Sequence, residues 1–260
     1  MLRILRVLAP NPGVYTLEGT NTWVVGSDPA AIIDPGPDDP SHLGELARAA
    51  GPVGVVLVTH DHPDHSPGAA TFAADSGAPL MAWRLDGAER LRDRQVVKVG
   101  SLEIHAIHTP GHTADHVSFH IPEVGALFTG DAVLGRGTSF IDPPGGDLAK
   151  YLRSLERMLE LGARTIYPGH GPAVLDPSAK LHEYISHRAE REEQVLAALS
   201  DGPRSIDAMV GSIYADYPRD VFPLAARSVL AHLIKLEHEG RVTKKGRDER
   251  ATYERATPKT

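Results

Sequence analysis

Apolar residues recur along this chain in two periods, and the switch between them marks out its elements. From Tyr15 to about residue 33 the pattern alternates in short stretches, notably Thr22-Trp23-Val24-Val25 and Ala31-Ile32-Ile33, which predicts strands ended by the turn Asp34-Pro35-Gly36. Residues 41–50 take helical spacing, with Ser41 as the expected cap, Glu45 in the first turn and Gly51-Pro52 as the stop. The apolar run Val53-Gly54-Val55-Val56-Leu57-Val58-Thr59 predicts a buried strand, and Ala69-Ala70-Thr71-Phe72-Ala73-Ala74 a helix after it. Further strands are predicted near residues 79, 96, 102, 116 and 126, and a helix over 148–161 precedes Gly162. Strands flanked by helices suit two packed sheets with helices outside.

The last third changes character. Residues 182–199 predict a long helix through Tyr184, Ile185, Val195, Leu196 and Leu199, stopped by Asp201-Gly202-Pro203. Two more helices fit 205–214 and 224–239, and Arg241-Val242-Thr243-Lys244 can pair with Ala251-Thr252-Tyr253-Glu254 across a charged turn. Three helices and a hairpin make a winged-helix order, so the chain divides into domains at 1–180 and 181–260. The third helix argues against duplex DNA as a partner, because it offers only Arg227 and Lys235 as basic groups, opposed by Glu237 and Glu239.

Composition narrows the chemistry. The chain has 260 residues, 41 % hydrophobic and 23 % charged, in the range of a globular enzyme. No apolar run approaches the roughly 18 residues needed to span a bilayer, and the first residues lack a signal-peptide core, so a cytoplasmic location and no membrane partner are expected. With no cysteine there is no thiolate nucleophile or sulfur ligand, and any metal must be held by nitrogen and oxygen. The formal net charge of −7 counts against a broadly nucleic-acid-attracting surface. From Arg241 onward the sign reverses: Arg241, Lys244, Lys245, Arg247, Arg250, Arg255 and Lys259 against Asp248, Glu249 and Glu254 give +4, which suits either a solvated hairpin or an RNA contact.

The densest chemistry is His60-Asp61-His62-Pro63-Asp64-His65, directly after the buried run. Imidazole and carboxylate together suit a borderline divalent ion, and a cluster this dense can serve two. Further candidates sit at other strand ends: His112 in Thr109-Pro110-Gly111-His112, Asp131 after Phe128-Thr129-Gly130, and His170 in Tyr167-Pro168-Gly169-His170. A glycine before each lets the backbone turn sharply.

His-x-His-x-Asp-His, then Pro-Gly-His, Gly-Asp and Pro-Gly-His, resembles the signature of the metallo-β-lactamase fold, an α+β class built as an αββα sandwich. The resemblance implies one ion held by His60, His62 and His112, a second held by Asp64, His65 and His170, and Asp131 bridging both. Two zinc ions suit these ligands best, with manganese or iron as alternatives. It also implies hydrolysis by a metal-bridging hydroxide, with Asp64 and Asp131 as the catalytic carboxylates. Asn11-Pro12-Gly13, Gly19-Thr20-Asn21-Thr22-Trp23, Tyr167-Pro168-Gly169-His170-Gly171-Pro172 and Tyr184-Ile185-Ser186-His187-Arg188 narrow the resemblance to the β-lactamase-like endoribonucleases, which carry a winged-helix-like extension and cleave single-stranded RNA. That subgroup implies a phosphodiesterase on single-stranded RNA; the alternative is a thioesterase of glyoxalase-II-like or acyl-carrier type acting on small thioesters. β-Lactam hydrolysis ranks behind both, and a complete ligand set argues against an idle nucleic-acid-binding module.

Other residues are less determined. Asp61 and His116 are candidates to support ligating imidazoles, although His116 also suits a backbone-satisfied strand start. Asn21 suits either a substrate-facing amide or a turn. Arg136 suits either a planar phosphate contact or a solvated loop charge. His105, His108 and His120 alternate with apolar residues in strands and read as structural, and His42, His182, His187, His232 and His238 read as surface or packing residues on helices.

Overall fold

The computed structural model describes residues 2–247 and 251–256. Asp248, Glu249, Arg250 and Lys259 of the basic C-terminal stretch lie outside the described residues. Two sheets form. The first runs in the order β1 (Ile4–Leu8), β2 (Asn21–Val25), β3 (Ala30–Ile33), β4 (Val53–Leu57), β5 (Leu80–Ala82) and β6 (Glu89–Arg90). The second comprises β7 (Val96–Val99), β8 (Leu102–His108), β9 (Val117–Ile121), β10 (Ala126–Gly130) and β11 (Thr165–Pro168), ordered β11-β10-β9-β8-β7.

Residue parity decides which side chains meet. Trp23, Val25, Ile33, Val55 and Leu57 project from the first sheet onto Ile104, Ala106, Val117, Phe119 and Phe128 of the second, forming the inter-sheet core. The opposite face of the first sheet, with Val24, Ile32 and Val56, takes α1 (Pro40–Ala50) and α2 (Pro67–Ser76) through Leu46 and Phe72. Leu127 and Ile166 on the outer face of the second sheet take α3 (Leu148–Glu160) through Tyr151, Leu155 and Met158. Helices outside two sheets are the expected αββα sandwich.

Beyond it stand α4 (Pro177–Ala198), α5 (Ile206–Ile213), α6 (Phe222–His238) and the hairpin β12 (Val242–Lys245) with β13 (Thr252–Arg255), packed around Val195, Leu196, Met209, Val229, Leu233, Val242 and Tyr253. Three details depart from the sequence reading. Asp39, not Ser41, caps α1, accepting from His42 N at 2.8 Å, because Pro40 occupies the first helical position and needs no N–H partner. Asp176 followed by Pro177 starts α4 in the same manner, five residues before the expected His182. The division at 180/181 therefore falls inside a helix: Leu181 and Tyr184 pack with the sandwich, and Val195 and Leu196 with the C-terminal core.

Candidate metal centre

Four strand ends converge on one edge of the sandwich. The chain leaves β4 through Thr59 and enters the 60–66 loop, whose turn into α2 holds His65 N on His62 O at 3.0 Å. At the end of β10, Gly130 adopts φ +45°, and a Cβ there would lie 2.5 Å from Thr59 Oγ1. After β11, a Cβ on Gly169 would lie 2.6 Å from Asp131 Oδ1. Only glycine lets the first backbone pass so close to Thr59 and the second so close to Asp131.

The seven expected ligands fall into two groups that share Asp131. In the first, His60 Nε2 lies 2.9 Å and His112 Nε2 3.1 Å from His62 Nδ1, and His112 Nε2 lies 3.8 Å from Asp131 Oδ2. In the second, His170 Nε2 and His65 Nε2 lie 3.1 and 3.3 Å from Asp64 Oδ2, and 3.3 and 3.4 Å from Asp131 Oδ1. Tetrahedral ligands on zinc stand about 3.3 Å apart. Asp131 Oδ1 is buried without a hydrogen-bond partner, and three imidazole nitrogens crowd together in the first group where few protons can be shared. Both features fit a divalent cation at each group.

Charge points the same way. Burial pushes the His60 and His62 imidazoles down, which keeps them neutral as ligation requires. Burial also opposes charge on His65 and His170, yet Asp131 with Asp34 holds His65 well above the ordinary range, and Asp131 with Asp64 raises His170 to about 9. The carboxylates thus draw positive charge into the second group, the charge an ion would supply in place of those protons.

Four of the five ligating rings are oriented from behind. Nδ1 of His60 meets Thr59 Oγ1 at 3.0 Å, that of His65 meets Asp34 Oδ2 at 2.9 Å, that of His112 meets Phe140 O at 2.9 Å, and that of His170 meets Gly19 O at 3.1 Å. Asp34, a turn residue by its sequence context alone, is buried at φ +52° and also accepts from Thr59 N and Thr59 Oγ1, both at 2.7 Å.

The residues expected to do this do otherwise. Asp61 is exposed and accepts from Ser66 Oγ at 2.7 Å, so it braces its own loop rather than an imidazole. His116 is buried with Nδ1 on Thr109 Oγ1 at 2.9 Å, and its ring packs 5.1 Å from that of His60 without a hydrogen bond to any ligand. Asn21 does not line the cleft that opens over the ligands: it is fully buried, and its amide donates to Pro168 O at 2.9 Å and Gly171 O at 2.8 Å, tying down the His170 turn. His108 stacks on Trp83, and His105 pairs with His120 across β8 and β9, away from both groups.

A cleft of about 540 Å³ opens over the ligands, with Val14, Tyr15, Leu17, Leu134 and Phe140 in its walls beside His62, Asp64, His112 and Asp131. Val14 and Tyr15 are 84 % and 61 % exposed, an apolar rim on a protruding loop. Arg136 stands at this mouth, paired with Glu18. The basic residues of α6 are also engaged: Arg227 with Asp142 and the Pro143 carbonyl, Lys235 with Glu192 and Glu239. In the hairpin, Lys245 pairs with Glu254 at 2.7 Å, and Arg241, just before it, pairs with Glu192.

Comparison with known proteins matches residues 15–89 and 80–170 to the metallo-beta-lactamase superfamily, and residues 205–250 to the beta-lactamase associated winged helix domain. A beta-lactamase-like protein 2 homolog of Drosophila melanogaster is 35 % identical, covering 96 % of this chain and 94 % of the relative. An atrochrysone carboxyl ACP thioesterase of Aspergillus chevalieri is also 35 % identical, covering 92 % of this chain and 82 % of the relative. Among solved structures, a metallo-beta-lactamase family protein from Thermus thermophilus superposes with a TM-score of 0.78 at 26 % identity, covering 98 % of each chain.

Proposed function

The chain belongs to the metallo-beta-lactamase superfamily of metal-dependent hydrolases, and from that premise we propose that it hydrolyses small thioesters carrying an apolar acyl group. The observation that carries this reading is the cleft wall: Val14, Tyr15, Leu17, Leu134 and Phe140 surround the ligands, and the one guanidinium among the lining residues, Arg136, is neutralised by Glu18. Apolar walls reward burial of an acyl chain at roughly 25 cal/mol per Å², whereas a polyanion needs a track of cations. On α6, Arg227 is engaged with Asp142 at the cleft edge. The thioesterase among the relatives lends the same support.

His60, His62 and His112 would hold one ion, Asp64, His65 and His170 the other, and Asp131 both. When bound, such ions polarise a carbonyl oxygen and bring the pKa of a coordinated water towards neutrality. The surrounding residues keep the ligand nitrogens of His60, His65, His112 and His170 bare by holding the protons on the opposite ring atoms, at Thr59, Asp34, Phe140 and Gly19. The apolar rim excludes competing water from the acyl chain. A thiol of pKa near 8.5 leaves as thiolate without a proton donor. That suits a cleft whose titratable lining consists of metal ligands, Arg136, Tyr15 and Asp142, the last of which is paired with Arg227.

The second reading, cleavage of single-stranded RNA, draws on Tyr15 and Phe140, whose ring centroids lie 6.3 Å apart at the mouth and offer stacking faces for bases. One experiment separates the two. Zinc-loaded protein is offered acyl thioesters of increasing chain length and, separately, an unstructured oligoribonucleotide, with Asp131→Ala as control. Turnover rising with acyl length and lost in the control is expected; RNA cleavage lost in the control, with thioesters untouched, would overturn the thioester reading.

A further inference from the structure

Arg188 is a buried cation whose partners are a carbonyl and an aromatic face. It is 6 % exposed, donates to Ser139 O, and lies 5.6 Å from the centroid of the Tyr151 ring. Its Nε has no acceptor, and among the described residues no carboxylate pairs with it. Burying a guanidinium in this way is costly, and an apolar side chain of similar length would fill the space more cheaply. What the guanidinium adds is its hold on Ser139.

Tyr184, one turn earlier on α4, acts on the same segment. Its hydroxyl accepts from Leu134 N and donates to Gly137 O, both at 3.0 Å, while Tyr151 donates to Ala132 O at 2.7 Å. The segment from Ala132 to Ser139 is thereby held at four backbone positions from the helix side. Phe140 comes next, and its carbonyl accepts from His112 Nδ1 at 2.9 Å. A carbonyl only accepts, so this contact puts the proton on Nδ1 and leaves Nε2 to face an ion.

We propose that Tyr184 and Arg188 are positioning residues: from α4 they fix the 134–140 segment, and through the Phe140 carbonyl they set the tautomer and aim of His112. The inference rests on the metal centre and not on the substrate reading, so its test reads metal loading rather than turnover. Zinc titration in competition with a chromogenic chelator is run on the full-length protein and on Arg188→Met, Arg188→Lys and Tyr184→Phe. Thermal unfolding and long-range 1H–15N spectra of the zinc-loaded imidazoles accompany it.

Loss of an outer contact to a ligand weakens metal binding about 10- to 100-fold. Arg188→Met is therefore expected to weaken one of two zinc-binding steps by about tenfold, disturb the His112 resonances, and keep or raise the melting temperature because a buried charge is gone. Arg188→Lys still donates to Ser139 and restores loading. Tyr184→Phe, which keeps the ring packing, weakens the same step and serves alone should Arg188→Met not fold. Wild-type loading and His112 spectra in Arg188→Met and Tyr184→Phe would overturn the proposal. So would equal weakening of both steps with a lower melting temperature, the mark of a merely structural role.

Discussion

Replacing Asp34 with Asn tests whether one carboxylate governs ligands of both metal groups. Asp34 Oδ1 accepts from Thr59 N, and Oδ2 accepts from both His65 Nδ1 and the Thr59 hydroxyl. Since that hydroxyl donates to Asp34, it must accept from His60 Nδ1, 3.0 Å away. The carboxylate therefore keeps a proton on Nδ1 of His65 directly and of His60 through Thr59, and leaves Nε2 of both rings bare. An amide breaks this in either orientation. With its NH2 in the place of Oδ2, it drives His65 towards the wrong tautomer and turns the Thr59 hydroxyl back on His60, which leaves hydrogens on the nitrogens that should ligate. With its NH2 in the place of Oδ1, it opposes the Thr59 N–H donor to donor, a buried mismatch costing roughly 1–3 kcal/mol.

The first outcome weakens zinc binding about 10- to 100-fold, or roughly 1.4–2.7 kcal/mol; the second lowers stability by roughly 1–3 kcal/mol. Chelator competition and urea unfolding, each on Asp34→Asn and wild type, measure the two losses. A variant that matches wild type in both would refute the relay.

Other expectations rest on separate contacts. Asn21→Ala strips two buried hydrogen bonds from the His170 turn and should lower unfolding free energy by roughly 2–3 kcal/mol, read by urea titration. His232 is buried, and burial followed by the nearby Arg188 and Arg191 charges lowers it from 6.5 to about 3. The unfolded chain then binds this proton below pH 6.5 while the folded chain does not until about 3, so stability is lost as pH falls through that window, by at most roughly 1.4 kcal/mol per pH unit. His232→Leu should flatten the difference between unfolding curves at pH 7 and pH 5; an unchanged slope counts against the assignment. Tyr15→Ala removes a 61 % exposed ring and should leave the melting temperature within about a degree while lowering kcat/KM for long-chain thioesters.

Ligands are legible in the sequence because each follows an apolar strand and precedes or completes a recognisable turn, so residue type and position point to the same edge of the fold. Asp34 sits in the same context, after Ala31-Ile32-Ile33, yet Asp-Pro-Gly spells a turn equally well, and nothing local says that the carboxylate points inward. Asn21 escapes the sequence for a related reason: β2 is buried on both faces, so alternation carries no information about which way its first side chain looks. Asp61 is close in sequence to the histidines, but the orientation of a ring is decided by what lies behind it in space. Asp39-Pro40 and Asp176-Pro177 are readable as helix starts, and a serine and a histidine further on obscure them.

The position of α4 explains why the cleft and the C-terminal region do not separate cleanly. Its first half contributes Leu181 and Tyr184 to the core beneath α3, and its second half contributes Val195 and Leu196 to the winged-helix core. Ending the catalytic part at residue 180 would leave the Leu134 N–H without the Tyr184 hydroxyl and Ser139 O without Arg188, on the segment that walls the cleft. From the other side, Arg227 of α6 grips Asp142, another lining residue. Arg227, Lys235, Arg241 and Lys245 of the winged helix are thus engaged with the sandwich and with glutamates of their own region. The same contacts leave Val14, Tyr15, Leu17, Leu134 and Phe140, with the Glu18-paired Arg136, as the cleft wall beside the ligands.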